Sequence, residues 1–188
     1  MVFPWVPTVD GEFLEDSPHN LLQSRAYAAK DALLGVNKDE GTYWILYSLP
    51  GFSKDNVSTQ TDAAFEQGVR QIAWDLTPPL LSDVTQLYRS QRDVNVSREE
   101  ANRDALCHVC GDRSFTSATK RLADTLSRDN NNTSTYMYEL SYRASNEEWP
   151  PWMGVIHGAE IQVSGGQGSF MTLIYRSVGV RGHSWRRG

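Results

Sequence analysis

Cysteine is scarce: the 188 residues contain two, Cys107 and Cys110. They flank His108 and Val109 as a C-x-x-C, and no second pair exists to complete a four-ligand zinc site. A redox motif is the other specialised reading. The plain reading, two small buried thiols on a helix, is preferred. No metal or cofactor is expected. Long apolar runs are missing too: none approaches the ~18 residues that a membrane span needs. The start, Met1-Val2-Phe3-Pro4-Trp5, has neither a basic nor an apolar region of the kind that makes a signal peptide. No long basic run precedes the tail and the net charge is -5. Nucleic acid is therefore not an expected partner, because phosphate neutralisation needs clustered Lys and Arg. There are no internal repeats.

What is present fits one domain in length. A self-contained domain of ~150 residues buries roughly 70% of its unfolded surface. Here 39% of residues are hydrophobic and the mean hydropathy is -0.50. That is modest. A piece of a larger sheet with this composition would leave apolar faces uncovered.

Residues 1 to 13 read as an extended approach, since Phe3-Pro4-Trp5-Val6-Pro7 cannot be helical. A short helix is expected from about Asn20 to Ala28, then a buried strand from Asp31 to Val36. After Gly41 the pattern turns helical, with Tyr43, Trp44 and Tyr47 on one face until Pro50-Gly51. Thr61 to Trp74 is a helix with Ala64, Phe65, Val69 and Ile72 apolar. Pro78-Pro79 reads as a break before a short helix from Ser82 to Tyr88. Ser97-x-x-Glu100 is a capping box opening a helix that carries Ala101, Ala105 and Val109 on one face and stops at Gly111. Phe115, Ala118, Leu122 and Leu126 give the period of one more helix. Asp129 to Asn132 is an exposed loop, and Thr135 to Arg143 a Tyr-rich strand. Ala144 to Glu160 is a long loop containing Trp149-Pro150-Pro151-Trp152. Strands alternating with helices predict an α/β sheet.

Two stretches carry candidate chemistry. In Leu33-Leu34-Gly35-Val36-Asn37-Lys38-Asp39-Glu40-Gly41 a strand gives way to two acids. Chemistry in α/β proteins sits at such strand ends. In Trp152-Met153-Gly154-Val155-Ile156-His157-Gly158-Ala159-Glu160 a lone imidazole lies between glycines. A base with a pKa near neutrality, oriented by a carboxylate, is what ester hydrolysis by serine requires. On pattern alone either Asp39 or Glu40 could be that carboxylate. They lie far from His157 in sequence, so only tertiary folding can join them. Gly41 and Gly158 are expected to allow sharp turns beside the reacting groups.

Together GVNKDEG and WMGVIHGxEI resemble the cholinesterases, within the type-B carboxylesterase family of α/β-hydrolases. The resemblance runs from about Phe3 to Ile161 and implies a partial α/β-hydrolase fold, the C-terminal part of its sheet with the attached helices. It implies Glu40 as the triad acid, His157 as the general base and Glu160 as a supporting acid. It places Phe3 at the acyl group, Tyr43 and Trp44 on the choline side, Tyr47 at the rim of an aromatic gorge and Trp149 on the wall near His157. Core packing is the competing reading for these rings. Ala159 stands where the family often has Tyr, which leaves a general esterase open beside a choline esterase. Ser117 stands where the family has a cysteine.

In this family order the nucleophile comes first, then acid, then histidine, yet no Gly-x-Ser-x-Gly occurs here. The expectation is a C-terminal part of a serine ester hydrolase, inactive alone. Its partners would be a small ester substrate and the missing N-terminal part of the same domain, with homo-oligomerisation of the full-length protein open. A neuroligin-like adhesion relative without a working serine, or a gene-prediction fragment that never folds, are the alternatives. Sequons at Asn56, Asn95, Asn131 and Asn132, with the resemblance, imply a glycosylated, extracellular or cell-surface protein. Residues 162–188 read as an unrelated tail, low in complexity and then Arg-rich. Gln162-Val163-Ser164 is also what an unspliced intron boundary would encode.

Overall fold

The computed structural model describes residues 6–128 and 133–161. Phe3, Asn131, Asn132 and the 162–188 tail lie outside the described residues. The elements run α1 (Pro18–Gln23), β1 (Ala32–Asn37), α2 (Gly41–Ser48), α3 (Asp62–Ile72), α4 (Pro78–Ser90) and α5 (Arg98–Gly111). A π-helical turn (Asp112–Thr116), α6 (Ser117–Arg128), β2 (Thr135–Leu140) and a 3₁₀ turn (Pro151–Met153) follow. The architecture is mixed helix with a two-stranded parallel sheet among the described residues. Register runs from Ala32 opposite Thr135 to Asn37 opposite Leu140. The helices between the strands form the crossover that parallel pairing requires, and α6 packs against both strands.

The core lies beside this sheet, where α2, α3 and α5 meet. Ile45, Leu49, Phe65, Val69, Ala105, Leu106 and Val109 are buried there with Cys107 and Cys110. Both thiols are free, and burial, the largest cause, pushes both above the ordinary thiol range. Each fully buried side chain of the size of Phe65 or Ile45 contributes roughly 1.5–3 kcal/mol relative to exposure. Polar groups hold the helix ends. The Ser97 hydroxyl accepts from the Glu100 N–H while the Glu100 carboxylate accepts from the Ser97 N–H, the reciprocal box expected. Asn102, fully buried, donates to the Gln60 carbonyl at 2.9 Å and to Asp62 at 3.0 Å, joining α5 to the start of α3.

Several boundaries differ from expectation. The first helix ends at Gln23 rather than Ala28, because the Ser24 hydroxyl donates back to the Asn20 carbonyl and Arg25 takes a φ of 56°. Pro78-Pro79 opens α4 rather than interrupting the chain. Proline's missing N–H and fixed φ suit a first helical turn. The last strand stops at Leu140, not Arg143. Its partner β1 ends at Asn37, and the Lys38 N–H donates the last bond, to the Leu140 carbonyl at 3.0 Å. Gly111 closes α5 without stopping the chain, which continues through the π-helical turn into α6. That wider turn rotates the following face, so Ala118 is exposed and Ala123 buried.

Gly41 does not make the sharp turn expected of it. It is the first residue of α2, and a Cβ there would sit 2.0 Å from the Cys107 carbonyl oxygen and 2.5 Å from the Gly111 nitrogen. The glycine permits backbone-to-backbone contact between α2 and α5. Replacing Gly41 with Ala is expected to lower unfolding free energy by about 1–3 kcal/mol or more, as overpacking does. Ser82→Ala, on the exposed side of α4, should stay within about 0.5 kcal/mol. Urea denaturation of both variants checks the contrast, and equal midpoints would contradict the contact.

Candidate active site

The site forms where β1 and β2 end side by side. Beyond β1 the chain meets the 153–157 loop directly. The Asp39 N–H donates to the Val155 carbonyl at 3.1 Å, and the Val155 N–H donates to Asp39 Oδ2 at 2.8 Å. The Thr42 hydroxyl lies 2.7 Å from the Asp39 carbonyl and 2.9 Å from the Met153 carbonyl. Gly154 has a φ of 64°, and a Cβ on it would fall 2.0 Å from Asp39 Oδ2. Glycine is required there by both conformation and space. Behind the loop, the buried Arg103 donates to the Val57 carbonyl at 2.8 Å and lies 5.4 Å from the Trp152 ring.

This clamp brings His157 to Glu40. Nδ1 of His157 lies 2.6 Å from Glu40 Oε2, across 117 residues of sequence. Glu40 Oε1 accepts from the Asn37 N–H at 2.7 Å, so both carboxylate oxygens are engaged. Glu40 is buried, while the His157 side chain is 36% exposed. Of the two acids, Asp39 holds the loop and Glu40 touches the imidazole. The donated Nδ1 proton would fix the tautomer and leave Nε2 as the basic nitrogen.

Rings surround the imidazole. Trp44 lies 5.3 Å from His157 between centroids, and Phe115 stacks on it at 4.4 Å with 30° between planes. Tyr43 contacts Trp44 at 5.3 Å, Tyr47 at 5.2 Å and Trp149 at 5.7 Å. The four described rings singled out in the sequence therefore form one connected layer on the His157 side of α2. Tyr47 is its exposed end. The phenol of Tyr43 is held above its usual range, first by its hydrogen bond with Tyr47. Glu160 accepts from the Asn37 side-chain amide at 2.5 Å.

Phe115 and Asn37 are the residues that sequence reading missed as parts of the site. Phe115 looked like one position of an amphipathic helix, but the π-helical turn carries it out of that period and onto His157. π-turns are rare and, where they occur, frequently lie at functional sites; this one leaves no hydrophobic period to read. Asn37 stood inside the quoted motif without a role. The Tyr138 phenol is pushed up by burial first and then by the charges of Glu160 and Glu40.

Comparison with known proteins gives the chain a family. Residues 1–176 match the sequence pattern of the carboxylesterase family. The chain belongs to the carboxylesterase family. It is 40% identical over 160 residues to an acetylcholinesterase from Bungarus fasciatus, covering 85% of this chain and 26% of that protein. It is 38% identical over 156 residues to a cholinesterase from Mus musculus, covering 83% and 25%. The chain thus spans about a quarter of the length of these relatives. Among the described residues, no helix of this carboxylesterase-family chain is long and apolar enough to cross a membrane.

Removing the stacked ring by Phe115→Ala should leave the Glu40 contact formed but loosen the imidazole. The ring-current shift of the His157 Cε1 proton is expected to collapse in proton NMR, with a stability loss of about 1–3 kcal/mol. An unchanged His157 signal would rule out the stacking.

Proposed function

We propose that this chain is the acid–base part of a serine ester hydrolase, whose nucleophile is supplied by a segment outside these 188 residues. The 2.6 Å contact between Glu40 and His157 carries the reading. His157 Nε2 would take the proton of an attacking serine hydroxyl and later return it to the leaving alcohol. Glu40 would hold the tautomer and stabilise the imidazolium between those steps. The absence of Gly-x-Ser-x-Gly from the sequence and the quarter-length match to the relatives support a nucleophile from elsewhere.

The substrates are choline esters or other small carboxylic esters. Trp44, Tyr43 and Trp149, with Tyr47 at the edge, offer ring faces to a quaternary ammonium, each well-placed ring contributing about 0.5–2 kcal/mol. The relatives named acetylcholinesterase and cholinesterase support the choline reading, and Ala159, where the family often has Tyr, leaves a more general esterase open. The partner is the rest of the same domain. Leu33 and Tyr136 face each other across the two strands, yet are 50% and 44% exposed. Apolar positions paired in a sheet but left wet are what a missing neighbour would cover. The setting is extracellular or at the cell surface. Asn56 and Asn95 lie on exposed turns where a glycan can be carried.

Turnover of thiocholine esters tests the reading. The purified chain alone should show none. Joined to an upstream segment bearing Gly-x-Ser-x-Gly, it should hydrolyse them saturably. In that full-length form Glu40→Gln should then lower kcat by about 10⁴-fold and His157→Ala by about 10⁶-fold. Saturable turnover by the chain alone, or an upstream coding sequence without the serine motif, would overturn the proposal.

A further inference from the structure

We propose that Asn37 is the positioning residue of the Glu40–His157 pair, an inference that rests on reading those two as acid and base. Asn37 is the last residue of β1 and is 3% exposed. Its main-chain N–H donates to Glu40 Oε1 at 2.7 Å. Its side-chain Nδ2 donates to the Ile156 carbonyl at 2.8 Å and to Glu160 Oε2 at 2.5 Å. Ile156 precedes His157 and Glu160 follows it by three residues. One buried residue therefore holds the acid through its backbone and brackets the base through its side chain.

The chemistry at this position is specific. Both side-chain partners, a carbonyl and a carboxylate, are acceptors only, so position 37 must present two donors. A primary amide does that without adding charge. The orientation of the amide follows from the same fact, because its oxygen could bond neither partner. A carboxylate in its place would face the Ile156 carbonyl and the Glu160 carboxylate, and a like charge in a buried site is costly. The charged and titratable groups around it are Glu40, Glu160, His157 and Tyr138. Losing the two donors frees the turn that carries His157 while leaving the bond from the backbone to Glu40 in place. The effect expected is on the imidazole contact, not on the acid's own seat.

The imidazole proton reports this without any nucleophile. In the 188-residue chain at pH 7, the Nδ1 proton shared with Glu40 should give a far-downfield, exchange-protected resonance. Asn37→Asp should abolish that resonance while the near-UV circular dichroism keeps its folded form. Adding Glu160→Gln restores a donor facing position 37, so the paired variant should regain the signal at least in part. A merely structural asparagine would lower the urea midpoint without this reversal. Absence of the signal from the unsubstituted chain would refute the Glu40–His157 reading itself. Its persistence in Asn37→Asp would overturn the present inference alone. If the single variant unfolds, the paired variant decides: recovery of fold and signal upholds the role, and failure of either overturns it.

Discussion

Parallel pairing of β1 with β2 is the constraint on which the site depends. Because the strands run in one direction and are held in register to their last residues, both leave the sheet at the same edge. Glu40 follows β1 directly, and the longer loop after β2 returns to the same end of the sheet to bring His157 to it. A shift of one residue would turn every side chain to the other face, and Asn37 would point away from Glu160. The strand bonds thus set the angle of a contact whose two side chains, Glu40 and His157, both lie beyond the strands.

The loop holding His157 is secured by burial of Met153, Val155 and Ile156 and by polar contacts to its backbone. Asp39 and Thr42 bind its carbonyls and an N–H, and Gly154 leaves the space that the Asp39 carboxylate occupies. Buried groups of this kind contribute little net stability when paired but cost about 1–3 kcal/mol each when a partner is lost. Such a loop is held in one arrangement or lost from it. The close approach of α2 to α5 at Gly41 acts in concert. It seats the helix that begins next to Glu40 and directs Tyr43 and Trp44 toward the imidazole side.

Local chemistry made part of this legible before any coordinates. The capping box at Ser97, the strand read at Asp31 to Val36 and found one residue later, the helix after Gly41 and the aromatic spacing of Tyr43, Trp44 and Tyr47 are all short-range features. They depend on neighbours within a few residues. The errors have the opposite character. Ala118 was misjudged as inward on α6 because a π-helical turn changed the phase, though Leu122 and Leu126 are half-buried as read, and the end of β2 because its partner ran out. Phe115 and Asn37 owe their place at the site to residues far away in the chain, and neither carries a periodic or compositional mark of it.

By itself the sequence determined that the chain has carboxylesterase-family motifs, an acid after a strand and an imidazole in a glycine-flanked loop, because residue identity and near spacing are written directly in it. Local pattern left Asp39 and Glu40 equal, and the resemblance favoured Glu40. Only the tertiary structure gave each its contact, Asp39 with Val155 and Glu40 with His157. Which carboxylate reaches an imidazole 117 residues away is decided by strand register and by the Asp39 bond to Val155, and those are contacts between segments that no local pattern encodes.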